Sequence, residues 1–143
     1  MHITDVLHHR NRVVHKIRST DTVTTAVRKL SEHQIGALVV TDSWGRHVGI
    51  ISERDLIHGL ERFGEMTPAL PVGELMSQDR ITCQMKDRVH KALELMTTHR
   101  IRHLPVKEGG AIIGIVSIGD LVGALIGDKE LEVEVLRDMA RAH

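Results

Sequence analysis

The chain has 143 residues, with 19 basic and 19 acidic side chains and no net charge when histidine is neutral. This length allows one ordinary domain or two very small ones, and 41% apolar residues suffice for a core, which argues against disorder outside the termini. The balanced charge and the near absence of aromatic rings (one Trp, one Phe, no Tyr) argue against DNA binding and against base stacking on single strands.

The sequence predicts a soluble protein of the cytoplasm. The single cysteine, Cys83, has no second thiol to pair with, which fits a reducing compartment. Residues 1–10 lack the apolar core of a signal peptide, and the longest apolar stretch, 112–126, is interrupted by Asp120, so no membrane span is expected. The 11 histidines are scattered, so we expect solvated or hydrogen-bonded imidazoles and no metal site.

An internal duplication organises the chain. A shift of 66 residues aligns Asp21 with Asp87 and His33 with His99. After a one-residue deletion, residues 49–56 (GIISERDL) overlay residues 114–121 (GIVSIGDL). A module of about 60 residues is marginal alone, so we expect the two copies to pack against each other.

Each copy is predicted to form a β-α-β-β-α unit. A short strand (13–17, then 80–83) precedes a helix whose apolar residues recur at i, i+3, i+4 and i+7, starting at Val23 and Val89. Asp21 or Thr22, and then Asp87, stand where an N-cap is needed. Two β-rich runs follow in each copy and are joined by glycine-containing turns, which predicts hairpins at 37–52 and 104–117.

The remaining elements are helices and a linker. A second helix is expected to start at Asp55 in the first copy and at Asp120 in the second. Pro68 and Pro71 mark the linker between the copies. One more amphipathic helix is expected from residue 128 onward. Its apolar side comprises Leu131, Val135, Leu136 and Met139.

A serine and an aspartate recur at the same place in both copies: Ser52 with Asp55, and Ser117 with Asp120. In each pair the serine ends a buried strand and the aspartate opens a helix. Such a carboxylate can simply cap the helix. It can also accept two hydrogen bonds from a ribose diol, while helix amides and the serine hydroxyl bind phosphate. Duplication favours the second interpretation and predicts a cleft between the copies.

Catalysis is not expected. Glu53 and Asp55 point apart at a spacing of i, i+2, and no third group accompanies them. Ser52 and His58 show no activating arrangement, Cys83 is expected to be a buried apolar residue, and a glycine-rich phosphate loop is missing.

The duplicated motifs resemble a tandem pair of CBS (cystathionine β-synthase) domains, particularly small stand-alone bacterial ones. The motifs are IGALVV (35–40), VGIISERDL (48–56), IRHLPV (101–106) and IGIVSIGDL (113–121). The resemblance implies an α/β fold of two pseudo-twofold related β-α-β-β-α repeats packed into one Bateman-type module. We place the repeats at 6–64 and 72–127, and the C-terminal helix at 128–143. The resemblance also implies a non-catalytic regulatory sensor without an obligatory cofactor. Such a sensor binds AMP, ADP, ATP, NAD or S-adenosylmethionine between the repeats. We expect a homodimer formed through the amphipathic helices.

The resemblance also implies the nucleotide-binding positions. They are Lys16, Gly36, Ala37, Ser52, Arg54, Asp55, Thr82, Arg102, His103, Ser117 and Asp120. The two aspartates correspond to ribose-binding carboxylates, and the two serines lie at the position of a phosphate or ribose hydroxyl contact.

The two clefts are expected to differ. Arg54 is a phosphate candidate in the first motif, where the second has Gly119. Arg102 and His103 match a basic pair that faces phosphate, whereas Gly36 and Ala37 replace it in the first copy. Thr82 matches a polar position near adenine, and the aligned Lys16 departs from that pattern.

Two further interpretations stay open. One is a structural or scaffolding pair with empty clefts, which Lys16 and the missing second arginine support. The other is a regulatory subunit of an unidentified enzyme, transporter or transcription factor, with weak nucleic-acid binding through the mildly basic segment 10–18.

Overall fold

The order of elements follows the duplication. The computed structural model describes residues 1–8, 14–78 and 81–141. The first half contains α1 (Ile3–His8), β1 (Lys16–Arg18), α2 (Val23–His33), β2 (Ala37–Thr41), β3 (His47–Ser52) and α3 (Glu53–Phe63). Two short 3-10 helices (Gly64–Ala69 and Val72–Glu74) lead to α4 (Val89–His99), β4 (His103–Glu108), β5 (Ala111–Ser117) and α5 (Ile118–Arg141). The α/β class and both hairpins are confirmed.

The two sheets differ in one strand. In the first, β1 runs parallel to β2, and β2 pairs with β3 in the antiparallel sense. The second has the antiparallel pair β4 and β5. The strand expected at 80–83 is reduced, in the part of the chain that the structure describes, to a parallel bridge between Cys83 and Val106. Val13 and Arg80, the first residues of the two predicted strands, lie outside the described residues.

Helices α2 and α4 begin differently and end alike. Thr22 is the N-cap of α2, and its side chain accepts a hydrogen bond from the Thr25 amide. The expectation for Asp87 is wrong, because Arg88 is the N-cap of α4 and makes no side-chain capping bond. Asp87 instead accepts a hydrogen bond from the Gln84 amide at 2.8 Å, which closes the preceding turn.

The cores of the two copies exchange their leading segments. Helix α1 buries Ile3 among the apolar residues of the second copy, whereas Val72 is buried in the core of the first. Equivalent backbone bonds fix both segments: the Ile3 amide donates to the Asp87 carbonyl at 2.9 Å, and the Val72 amide to the Asp21 carbonyl at 2.8 Å. Each copy therefore completes its core with a piece of the other, which holds the copies together around the cleft between them.

Helix α5 is longer than the duplication predicts. It runs without a break over 24 residues, so the helix expected from Asp128 is the distal part of a single helix of about 36 Å. Val135, Leu136 and Met139 on its expected apolar side are exposed. None of the helices in the described ranges is both long and apolar enough to cross a membrane.

Candidate functional site

Both Ser-x-x-Asp motifs form reciprocal caps at the start of a helix. The Asp55 carboxylate accepts a hydrogen bond from the Ser52 amide at 2.8 Å, and the Ser52 hydroxyl faces the Asp55 amide at 3.4 Å. In the second copy the Ser117 amide donates to Asp120 at 2.9 Å, and the Asp120 amide donates to the Ser117 hydroxyl at 3.0 Å. Capping is therefore part of the role of both aspartates.

The environments of the two carboxylates differ. Asp55 accepts from the amide and the hydroxyl of Ser52 through Oδ2, at 2.8 and 3.0 Å, and from the Ser77 hydroxyl through Oδ1 at 2.7 Å. Ser77 follows the exchanged segment that starts at Val72, so the linker covers this carboxylate. Both oxygens of Asp55 thus accept hydrogen bonds within the protein, which leaves fewer acceptor sites on this carboxylate for a ribose.

Asp120 lies in a cleft of about 630 Å³ between the two copies. That volume lies in the range of small-molecule sites. The second copy contributes His103, Ser117 and Asp120 to its lining. The first copy contributes, among others, His15, Gly36, Ala37, Glu53 and Leu56.

His103 reaches across the cleft to the first copy. A Cβ atom added at Gly36 would lie 2.7 Å from Nε2 of His103, so only glycine leaves room for the imidazole at this place. Burial lowers the pKa of His103, and the positive charge of Arg102 lowers it further, against the opposing effect of Glu53 and Asp120. We therefore expect His103 to be neutral at pH 7 and to act as a hydrogen-bonding group.

His15 forms a second imidazole surface in the cleft. Its ring stacks on that of His33, with centroids 3.8 Å apart and an interplanar angle of 25°. Burial, and then the positive charges of His33 and Lys29, lower the pKa of His15. The described lining residues thus present two carboxylates, Glu53 and Asp120, and two imidazoles.

Five of the eleven sequence-predicted positions meet in this cleft. They are Gly36, Ala37, His103, Ser117 and Asp120. The other six lie outside its lining. They are Lys16, Ser52, Arg54, Asp55, Thr82 and Arg102.

Three of the predicted basic positions lie outside the lining of the cleft: Arg54 and Arg102, expected to face phosphate, and Lys16, aligned with the adenine position. The Arg54 guanidinium donates to the carbonyl of Arg100, the left-handed residue that ends α4, and so connects the two copies. Arg102 and Lys16 are exposed. The Lys16 carbonyl accepts a hydrogen bond from Lys29 Nζ at 2.9 Å.

Sequence reasoning missed His15, Glu53 and Leu56. The signal for His15 was its place immediately before Lys16, the residue chosen by alignment with Thr82. Glu53 and Leu56 lie within the motif already singled out, and α3 turns them toward the cleft while Arg54 turns toward α4. Because of helical periodicity, neighbouring residues of the motif lie on different faces of α3. The motif alone does not show which of these faces lines the cleft.

Comparisons with known proteins identify the repeat. The family model described as "CBS domain" matches twice, at residues 3–62 and 72–127. A crystal structure of a CBS-domain-containing protein from Agrobacterium tumefaciens is 36% identical, with a TM-score of 0.82, and the match covers 86% of this chain and 92% of that one. A CBS domain protein of Pyrobaculum aerophilum, solved in complex with AMP, is 26% identical with a TM-score of 0.72, over 84% of this chain and 89% of that one.

A curated relative is longer. A mitochondrial CBS domain-containing protein of Arabidopsis thaliana is 38% identical over 120 residues, which are 81% of this chain and 58% of the plant protein. The chain thus spans a little over half the length of that relative. The two family matches cover most of this chain and coincide with the duplication found in its sequence. The chain therefore belongs to the CBS domain family, as a tandem pair of CBS domains.

Proposed function

We propose that this CBS pair is a non-catalytic regulatory sensor that binds an adenine nucleotide in the cleft containing Asp120. The observation that carries the proposal is the meeting of Ser117, Asp120 and His103 with residues of the first repeat around a cleft of about 630 Å³. The complex of the Pyrobaculum aerophilum relative with AMP supports this class of ligand. AMP, ATP and NAD are the first candidates, followed by ADP and S-adenosylmethionine.

Each polar group of the cleft has a role in this proposal. Asp120 accepts hydrogen bonds from the ribose diol, a use of a carboxylate that is compatible with its helix cap. Ser117 lies at the N-terminus of α5, where hydroxyl, amides and helix dipole favour an anionic group. His103 donates a ring N–H to phosphate, which the neutral imidazole can also do.

We further propose that one cleft of each chain is the stronger site. Asp120 lines the cleft of about 630 Å³, whereas Asp55 lies outside its lining and already accepts the 2.7 Å bond from Ser77. Arg54 becomes a phosphate ligand only if its guanidinium releases the carbonyl of Arg100, and Arg102 is exposed outside the lining of the cleft. The expected stoichiometry is therefore one tightly bound nucleotide per chain.

Ligand binding would change the arrangement of the two repeats relative to each other. The cleft is lined from both sides, and His103 of the second repeat rests on Gly36 of the first. A nucleotide that fits one arrangement better shifts the population toward it by the difference in affinity. The homodimer, the cytoplasmic location and a regulated partner protein remain parts of this proposal.

The decisive experiment compares two aspartates with the same cap and different surroundings. Asp120→Ala and Asp55→Ala each remove a helix cap, so both should lose about 1 kcal/mol of stability. Only Asp120→Ala should weaken AMP binding, by about 10- to 100-fold, because charge-assisted ribose bonds are worth roughly 1.5–3 kcal/mol. Isothermal titration calorimetry measures the affinity and urea unfolding the stability.

Thermal shift completes the test. At 100 times Kd, AMP should stabilise the fold by about 2.7 kcal/mol, or roughly 5–10 °C in Tm. Absence of a shift with AMP, ATP, NAD and S-adenosylmethionine at millimolar concentration would refute the sensor and favour the scaffold with empty clefts. Equal loss of affinity in both aspartate variants would refute the assignment of the stronger site to Asp120.

A further inference from the structure

The linker after the second 3-10 helix pairs with β3. Ser77 and Ile50 form an antiparallel bridge, in which the amide of each donates to the carbonyl of the other at 2.8 Å. Gly49 allows this close approach, because a Cβ atom there would lie 2.6 Å from the Ser77 carbonyl oxygen and 3.0 Å from Sδ of Met76. These backbone bonds place the Ser77 side chain beside the first turn of α3, which contains Asp55.

The Ser77 hydroxyl makes the same kind of bond to Asp55 that a sugar hydroxyl would make. It donates to Oδ1 at 2.7 Å, a distance typical of a hydroxyl on a carboxylate. The other oxygen, Oδ2, accepts from the Ser52 amide at 2.8 Å as part of the helix cap. The linker thus supplies a hydroxyl to the carboxylate oxygen that is not used by the cap amide.

The bond between Ser77 and Asp55 lies where a ligand can reach it. Ser77 is exposed and Asp55 is half-buried. The neighbouring Arg54 donates to the carbonyl of Arg100 in the second repeat, so the start of α3 lies at the boundary between the repeats. Ser77 belongs to neither hydrophobic core, so its release leaves the buried residues of both cores packed.

We propose that Ser77 is an internal ligand of Asp55 that keeps a second nucleotide site of the chain closed. We call this place the Asp55 site. The inference rests on the proposed function, because it assigns Asp55 the same use of its carboxylate as Asp120. A nucleotide at Asp55 competes with Ser77, whose effective concentration there is high because the linker is paired with β3. The apparent affinity of the Asp55 site is reduced accordingly, so the Asp120 cleft fills first.

The same competition links the ligand to the position of the linker. A nucleotide at the Asp55 site favours the released linker, and a change that releases the linker raises the affinity of this site by the same factor. The chain would therefore respond to nucleotide in two concentration ranges, and only the higher range would free the linker from β3.

Ser77→Ala is the direct test, with AMP as the probe in isothermal titration calorimetry. The wild type should bind one AMP per chain in the range that fills the Asp120 cleft. Ser77→Ala should bind a second AMP, because loss of the competing charge-assisted bond raises the affinity of the Asp55 site about 10- to 100-fold. Asp55→Asn in the Ser77→Ala background should abolish this second binding event and keep the first.

Thr24→Ala is the matched control. It removes another side-chain hydroxyl bond from the first repeat to the linker, the 2.9 Å bond from Thr24 to the Pro68 carbonyl. This variant should still bind one AMP per chain.

A second variant releases the linker without changing Ser77. In Gly49→Ala the new Cβ would lie 2.6 Å from a backbone oxygen of the linker, so the linker has to move away from β3 and the second AMP should bind. Hydrogen exchange follows the linker without any ligand. The amides of residues 50 and 77 should exchange about tenfold faster in Ser77→Ala than in the wild type, because the lost bond no longer holds the linker on β3.

Three results would overturn the proposal. They are one AMP per chain in the wild type, Ser77→Ala and Gly49→Ala alike, a second AMP that survives Asp55→Asn, and unchanged hydrogen exchange at residues 50 and 77 in Ser77→Ala. Absence of AMP binding in all these chains would refute the proposed function and this proposal with it, whereas one AMP in each refutes this proposal alone.

Discussion

Gly36→Ala tests whether the contact of His103 with the first repeat organises the cleft. The new Cβ would lie 2.7 Å from Nε2 and 2.8 Å from Cε1 of His103, and 3.1 Å from Oε1 of Glu53, whereas ordinary contact begins at 3.4 Å. The imidazole must therefore shift by roughly 0.7 Å, and it can do so because it lines the open cleft. Turning a side chain away from its preferred rotamer costs about 0.5–1.5 kcal/mol, so we expect the free energy of unfolding to fall by that amount.

The assay is urea unfolding at pH 7.5, followed by AMP titration. The matched control is Gly123→Ala, because its Cβ meets nothing within 4 Å and alanine is the better helix former by about 0.5–1 kcal/mol. In a double-mutant cycle, His103→Ala removes the imidazole that the new Cβ at residue 36 would contact. Gly36→Ala should then cost at least about 0.5 kcal/mol less in the His103→Ala background than in the wild type.

Affinity for AMP should fall in Gly36→Ala, since the displaced imidazole no longer occupies its place beside Asp120. The reasoning is refuted if Gly36→Ala is as stable as the wild type, or if its cost is the same with and without His103. Either outcome would mean that the two repeats accommodate the extra methyl group elsewhere.

Three further outcomes follow from burial. Acidification from pH 7.5 to 5.5 should lower the free energy of unfolding, because burial lowers the pKa of His103 below its usual 6.5. The contribution of the neutral imidazole to stability is complete above pH 6.5 and is lost as the pH falls through the folded-state pKa. In urea titrations, His103→Gln should therefore give a shallower pH dependence than the wild type. Ile3→Ala should cost about 2–4 kcal/mol in the same assay, since Ile3 is fully buried in the second core. Cys83 should react with a thiol reagent only when the protein opens, because its side chain is 1% exposed and burial raises the pKa of its thiol to about 12.

Local pattern was sufficient to predict most elements. Helices α2 and α4 follow from apolar spacing, and the hairpins follow from β-rich runs separated by glycine turns, which Gly45, Gly109 and Gly110 close with positive φ. The sequence does not predict the exchange of leading segments, because α1 is only six residues long. Its apolar residues, Ile3 among them, indicate that the segment is buried, but they do not indicate which core it packs into. Which core receives a short segment is decided by tertiary packing.

The sequence predicts only part of the cleft, because tertiary packing decides which motif residues line it. The sequence reveals Ser and Asp in both motifs and cannot distinguish them, because each pair satisfies the same helix cap. The structure separates them by the cleft, which Asp120 lines and Asp55 does not, and by Ser77, which is distant from Asp55 in sequence and donates to it from the linker. The position of Arg54 likewise depends on where α4 ends, since its partner is the carbonyl of Arg100.

The exchange of leading segments has a consequence during synthesis. The first repeat can close its core as soon as Val72 has left the ribosome, whereas the second has to recruit Ile3, which was made with the first repeat and stays unpartnered until α4 and β4 appear. At about 5–20 residues per second, the synthesis between the end of α1 and the end of β4 takes roughly 5–20 seconds. During it residues 3–8 lack the core that stabilises α1, since six residues do not hold a helix alone, and their eventual contacts span most of the chain, which slows folding. The order of translation thus predicts that the second repeat completes its core after the first.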